Sequence, residues 1–372
     1  MAPFRITEFA IMGGMPKAPP VLARVYRGSR VESAHRGSVA VVDERGTLLA
    51  SCGDPAAPVY ARSAAKPFQV MPLLLAGGAK TYGLSDAEIA LMCASHGGEP
   101  RHVSLAAKLL RRGGFRVGDL QCGAHQPMHE PSARELIRRG QAPSALHNNC
   151  SGKHAGILLA CRLLGMPHAD YADAGHPLQR RIRTLLAQHA NIAESEITLA
   201  VDGCNLPVFR LPLSALAAAY ARLSAGRRPG EDRVAASVRS RIVRAMTRHP
   251  EMVAGAGRFT TEFIAAGKGR WIGKEGAEGV YAVGLAPRAR GRRAVGIALK
   301  IEDGSARPRD AVTLDLLARI AELPIEIRRA LAAYAEPRVQ NARGIEVGRI
   351  EAEAPIAMGS AGSGGRRRGG VR

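Results

Sequence analysis

The sequence predicts an α+β protein: one antiparallel sheet drawn from both ends of the chain, with a mostly helical lobe built from its middle. Three observations carry this expectation. Alternating apolar segments crowd the first 52 residues and return after about residue 270, at the period of a half-buried strand. Between Ser63 and about Ile264 the apolar spacing is helical, with N-cap signals ahead of several runs. The length, 372 residues with 46% apolar composition, supplies enough core for two lobes at roughly 150 residues per domain.

The elements follow in order. Residues 1–18 read as a loose leader. VLARVY and SVAVVDERGTLLASCG are strands, and Asp43-Glu44-Arg45-Gly46 is the turn between strands near 37–42 and 47–52. SAAKPFQVMPLLLAGG is apolar almost all round after its first turn, so it reads as a buried helix. Ser85 with Glu88, and Ser132 with Glu135, each have the S-x-x-E spacing of a capping box. SGKHAGILLACRLLG, PLQRRIRTLLAQHAN and EDRVAASVRSRIVRAMTRH read as further helices, the last followed by Pro250. GRWIG, GVYAVGLAP and AVGIALKIED return to strand character. Helices near 308–322 and 325–335 precede a last strand, IEVGRIEAE. The expected lobes are therefore 19–62 with 255–357 for the sheet and 63–254 for the helices, with a substrate cleft between them. Residues 358–372 form an Arg/Gly tail of low complexity, expected to be disordered.

The formal charge of +21 invites a nucleic-acid-binding reading. Only 8 of the 53 basic residues are Lys, however, and the Arg are scattered, with part of the excess in the tail. Aromatic residues do not alternate with basic ones as base stacking requires. A nucleic-acid partner is thus not expected. The six cysteines (52, 93, 122, 150, 161 and 204) are too sparse for a disulfide scaffold. No signal-peptide core and no apolar run of membrane length occurs. The expectation is a cytoplasmic protein without a membrane partner.

Two constellations carry chemistry. In Arg62-Ser63-Ala64-Ala65-Lys66-Pro67, Ser63 opens a helix and Lys66 lies one turn along. A serine needs a base before it attacks a carbonyl, and a desolvated lysine is one. This is the S-x-x-K arrangement of penicillin-binding proteins and serine β-lactamases. By itself it equally describes an N-cap serine beside a solvated lysine. A second serine in a Gly-rich loop, Ser95, and a Lys-x-Gly at Lys274 before a strand follow in the chain order of that group. As isolated features they are a turn serine and a hairpin charge; together they favour the catalytic reading. The second constellation joins Cys150, Lys153 and His154 to Asp202-Gly203-Cys204. Two thiolates with a third ligand suit tetrahedral zinc, with His147 and His154 as alternative ligands. Buried core cysteines, or a catalytic Cys–His pair, are the competing readings.

At this point the strings HRGSVAVVDERG, ARSAAKPFQ, CASHGGEPRH, CGAHQP, HNNCSGKHAGIL, VDGCNLP, VAGAGRF and GKEGAEGVYAVGL resemble one family. It is the asparaginase II family typified by the inducible enzyme of Rhizobium etli, also called class 3. The resemblance extends from about residue 20 to 355. It implies a fold like the serine β-lactamases and glutaminases, and hydrolysis of L-asparagine to L-aspartate and ammonia in a homodimer. It implies Ser63 as nucleophile, Lys66 as its base, and Ser95 with Lys274 as a second Ser–Lys pair relaying protons. It also implies Arg62, Asp202 and Arg258 as substrate-binding residues, and Cys150, Lys153 and Cys204 as ligands of a zinc ion. A glutaminase, or another Ser–Lys amidohydrolase of the penicillin-recognising fold, is the alternative activity.

Overall fold

The computed structural model describes residues 18–358 except 228, 229, 288, 290, 291 and 322. The leader up to residue 17 and the tail from residue 359 lie outside the described residues. Three strands come from the N-terminal part: β1 (Val21–Arg27), β2 (Arg30–Asp43) and β3 (Leu48–Cys52). Three short ones, β4 (Pro58–Tyr60), β5 (Thr198–Val201) and β6 (Pro207–Pro212), form a separate small sheet in the order β4-β6-β5. The C-terminal part supplies β7 (Trp271–Gly276), β8 (Val280–Leu285), β9 (Val295–Ile301), β10 (Arg338–Gln340), β11 (Glu346–Ala352) and β12 (Ala357–Met358). The main sheet runs β10-β11-β1-β2-β9-β8-β7, with β3 also paired to β2 and β12 to β3. Every pairing is antiparallel. The sheet is thus made of both chain ends, and the protein is α+β.

The long strand β2 joins the two ends. Its first half pairs with β1, and its second half, Gly37–Asp43, pairs with β9. Accordingly its first half is mostly exposed and its second half buried. The loop after Asp43 is held by that residue's carboxylate, which accepts from the N–H groups of Arg45 and Thr47 at 2.9 Å, the local bonding expected of Asp in a turn.

Most helices come from the middle of the chain, but helix Leu213–Ser224 belongs to the sheet. It lies across β2, β8 and β9, and its run of alanines lets the backbone approach closely. The sheet answers with glycines: a Cβ on Gly296 would meet the Ala217 carbonyl oxygen at 1.8 Å, and one on Gly284 would meet the Tyr220 oxygen at 2.6 Å. Backbone cannot retreat as a side-chain tip does. Gly296→Ala is therefore expected to destabilise the protein by about 3 kcal/mol or more, the upper end for overpacking, read as a lower denaturant midpoint.

The segment expected as one buried helix is buried but broken into a 3-10 turn, Arg62–Ala65, and helices Lys66–Gln69 and Met71–Leu75. Pro67 and Pro72 each occupy the first turn of a new helix, because proline has no N–H to continue the old one. The capping box at Ser85 and Glu88 forms, with both reciprocal bonds. The one expected at Ser132 and Glu135 does not. That helix starts earlier, at Glu130 with Pro131 in its first turn, so Ser132 lies inside it and bonds His129 Nδ1 at 2.8 Å. Among the described residues, no helix is long and apolar enough to cross a membrane.

Candidate active site

Ser95 is the hub. It follows helix Asp86–Met92 in the loop Ser95-His96-Gly97-Gly98, and its side chain is buried. Lys66 Nζ reaches its hydroxyl at 3.0 Å and Lys274 Nζ at 2.7 Å. Each amine has one further anchor: Lys66 donates to the Ala94 carbonyl at 2.5 Å, and Lys274 to the Glu275 carbonyl at 3.0 Å. Both lysines are almost wholly buried, and a pair of ammonium groups around one neutral oxygen would be poorly compensated. Burial drives the Lys274 amine well below its ordinary range; Glu275 opposes the shift, while Lys66 and Arg258 add to it. A neutral Lys274 has a lone pair for the Ser95 proton, and a hydroxyl accepts as well as donates. Lys66, Ser95 and Lys274 thus form a continuous path for one proton.

Ser63 is placed beside this path rather than in it. It sits half-buried in the 3-10 turn that leads into Lys66, and its hydroxyl has no hydrogen bond among the described residues. Lys66, expected as its base, donates instead to the Ala94 carbonyl and the Ser95 hydroxyl. The preceding residue, Arg62, has φ of +49°, a left-handed conformation that costs a non-glycine residue of order 1 kcal/mol. It is held there with its Nε donating to Asp202 Oδ1 at 2.9 Å. The same oxygen accepts from the Gly203 N–H at 2.8 Å, which leaves Asp202 Oδ2 without a bond among the described residues. Asp202 is in the turn that follows β5, so the small sheet carries it to Arg62.

Arg258 also comes to this centre. Its guanidinium donates to the Ser95 carbonyl at 2.9 Å and forms an ion pair with Glu275. Glu275 was not among the expected site residues. It is buried on β7 and also faces Arg309 Nη2 at 3.6 Å and Lys274 Nζ at 4.0 Å. Burial would raise its pKa, but Lys274, Arg258 and Arg309 together hold it below the ordinary carboxylate value. The available signal was its setting: two adjacent charges, Lys274 and Glu275, in the otherwise apolar or small strand WIGKEG. Buried charges require partners. His96 was overlooked too. Gly98 N–H donates to its Nδ1 at 3.2 Å and its Nε2 lies 3.0 Å from Ser151 Oγ, which ties the Ser95 loop to helix Ser151–Leu163. Burial holds this imidazole far below its usual pKa, so it is neutral.

The cysteine cluster adjoins the same loop. Cys150 caps helix Ser151–Leu163 and Lys153 lies in that helix's first turn. Lys153 Nζ is 3.0 Å from Cys204 Sγ. The Cys150 thiol is driven well below its ordinary pKa, by a hydrogen bond from Cys204 and against burial, with the charges of Lys153 and Lys66 assisting. The Cys204 thiol is raised correspondingly, and Lys153 is held protonated against burial by both sulfurs. Two sulfurs and an amine converge, a donor set that fits zinc once Cys204 and Lys153 lose their protons. The alternatives lie elsewhere. His154 Nδ1 bonds Tyr171 Oη at 2.7 Å, and Ser144 N–H donates to His147 Nδ1 at 3.0 Å. Neither is hydrogen-bonded to a cysteine among the described residues. Nor do three or more His, Cys, Asp or Glu gather in a metal-binding group there; the triad depends on Lys153. All six cysteines are free.

No curated protein matches the chain. Among solved structures it is similar to Mglu in its native form, with a TM-score of 0.42 and 16% identity over 77% of this chain and 65% of that one. It is also similar to the Bacillus subtilis glutaminase YbgJ in covalent complex with 5-oxo-L-norleucine, with a TM-score of 0.33 and 12% identity over 78% of this chain and 89% of that one. The chain spans slightly less than two thirds of Mglu. The sequence model of L-asparaginase II matches residues 23–352, all of the elements that carry the site. By that match the chain belongs to the L-asparaginase II family.

Proposed function

We propose that the protein hydrolyses L-asparagine to L-aspartate and ammonia through an ester on Ser63, as a class 3 member of its family. The observation that carries the mechanism is the two-lysine bridge through Ser95, at 3.0 and 2.7 Å. Lys66 passes a proton through the Ser95 hydroxyl to the neutral Lys274 amine, and as Ser63 Oγ attacks the side-chain amide carbon its proton passes to the freed Lys66 amine. The C–N bond then breaks, and the departing nitrogen takes a proton delivered along Lys66, Ser95 and Lys274, leaving as ammonia. Water cleaves the β-aspartyl ester, and the proton it loses returns along the same path, restoring Ser63. The free Asp202 Oδ2 is the acceptor for the substrate's ammonium, and Arg62 and Arg258 are the cations for its carboxylate. Ammonia release from asparagine, glutamine and β-aspartyl amides tests this reading. Asparagine is expected to be turned over fastest. A pocket discriminates one added methylene by roughly 10–200-fold, so preferential turnover of glutamine would replace asparagine as the substrate.

Cys150, Lys153 and Cys204 would hold the zinc. Bound there, the ion would cross-link the Cys204 turn, and with it Asp202, to helix Ser151–Leu163. Purified protein is expected to carry about one zinc per chain by metal analysis. Cys150→Ser or Cys204→Ser should lower that content and raise KM more than it lowers the melting temperature. Protein lacking zinc after gentle purification would make the cysteines core residues. The working form is proposed to be a cytoplasmic homodimer, which light scattering tests.

Glu275 gives a signed pH prediction. The base form of Lys274 is the neutral amine, so activity falls as pH drops through its lowered pKa. Glu275 raises that pKa; removing its charge lowers it further. In Glu275→Gln the acid limb of kcat is therefore expected at lower pH than in the native enzyme. A limb that stays in place would remove Lys274 from the titration.

A further inference from the structure

The strands β7, β8 and β9 run from the Ser95 centre to a groove of about 1150 Å³. Trp271 opens β7 and pairs with Leu285 at the end of β8, which pairs with Val295 at the start of β9. The turn before β7 and the described residues between β8 and β9 therefore face each other at this end. Lys274 is three residues further along β7, roughly 10 Å away at the rise of a strand.

The two loops line the groove with Lys268, Arg270, Arg292 and Arg293, all of them exposed. Its apolar wall includes Leu49, Val295 and Ile320. Among the described lining residues Asp43 is the one carboxylate beside these four cations, and it is already engaged; the neighbouring Glu44 carboxylate accepts the Ala294 N–H at 2.8 Å. Asp43 forms an ion pair with Arg293 and accepts the N–H groups of Arg45 and Thr47. Burial opposes its ionisation, but those bonds hold its pKa below the ordinary value. The Arg270 guanidinium lies 5.2 Å from the Trp271 ring centroid. Lys268 and Arg292 have no carboxylate within 4.0 Å among the described residues. Two uncompensated cations at a concave, partly apolar wall concentrate anions more strongly than the same charges on a convex surface. Guanidinium groups match phosphate and carboxylate oxygens in pairs. The apolar wall favours a ligand that also has hydrocarbon to bury.

We propose that this groove is a second binding site, for an organic anion with an apolar body and a phosphate or carboxylate head. The head contacts Lys268 and Arg292, and the body lies on the apolar wall. The site is separate from the Ser95 centre and independent of the amidohydrolase reading. Trp271, the chain's single tryptophan, lines the groove and packs on Phe263 behind it, so its emission has one source, at the groove wall.

The test is titration with octyl phosphate below its micelle concentration at low salt, followed by Trp271 emission and by calorimetry. Saturable binding is expected, weakened about tenfold or more in Lys268→Asn/Arg292→Gln. Asn accepts the left-handed backbone at Lys268, where φ is +47°, so this variant should keep its melting temperature. Arg244→Gln, whose guanidinium bonds Asp86 and does not line the groove, should bind like the native protein. Inorganic phosphate and octyl glucoside, which carry the head or the body alone, should each bind at least about tenfold more weakly. The proposal is overturned by the absence of both heat and emission change, or by equal affinity in the double variant. Equal affinity for inorganic phosphate would also overturn it, by showing a site for charge alone.

Discussion

Ser63→Ala is expected to lower kcat by about 10⁴-fold or more, the scale on which loss of an attacking group acts, with melting temperature and zinc content retained. Two serines compete for the role, and their environments differ. Ser95 is 4% exposed and its oxygen is already bonded by Lys66 and Lys274. To attack, it would have to admit substrate into a buried position. Ser63 is half-buried and unbonded among the described residues. It directly follows Arg62, whose left-handed backbone and bond to Asp202 fix the turn that presents it. Strain of this kind persists where the surroundings over-determine a position. Ser63→Ala removes no hydrogen bond and little buried volume, so its effect on folding should be small. Retention of more than about a hundredth of native turnover would be too much for a nucleophile.

Ser95→Ala is expected to be the second most damaging change, lowering kcat by about 10²–10⁴, the range for loss of acid–base transfer. The two lysines keep their anchors on the Ala94 and Glu275 carbonyls, so both amines should stay near their native positions. What disappears is the hydroxyl that passes a proton between them. Because Lys274 titrates far below its ordinary range, the native protein binds fewer protons than the unfolded chain as pH falls from that range. Lys274 therefore withdraws stability progressively as pH falls from its ordinary range to its lowered pKa, and its full cost persists below that. Ser95→Ala should keep this acid sensitivity of folding while losing turnover. A variant that loses both together would make Ser95 a structural residue.

Much of the fold was legible because it is written locally. The turn at Asp43–Gly46 and the capping box of Ser85 and Glu88 depend on residues within four positions of each other, and both form. Helix Ser151–Leu163 shows as a continuous apolar run. The sheet's composition from both chain ends follows from where the strand patterns lie. The small sheet was less legible: β4 has three residues and β5 four, too few to display a period. Ser132 with Glu135 matched a capping spacing, yet Pro131 starts the helix before them. The site divides in the same way. Ser63 with Lys66 and Cys150 with Lys153 are neighbours in sequence and were visible as pairs. Glu275 gains its meaning from Arg258 and Arg309, which lie on other elements. Nor does sequence spacing indicate that the Lys66 amine turns to Ser95, since that choice is made by the loop that packs against it.

The most direct measurement is the location of the covalent intermediate. Enzyme quenched in acid during asparagine turnover, native and Ser95→Ala, is digested and its peptides are weighed by mass spectrometry. A β-aspartyl adduct on the peptide containing Ser63, in both proteins and absent from Ser63→Ala, is the predicted result. An adduct on Ser95, Cys150 or Cys204 would contradict the assignment of Ser63 as the nucleophile.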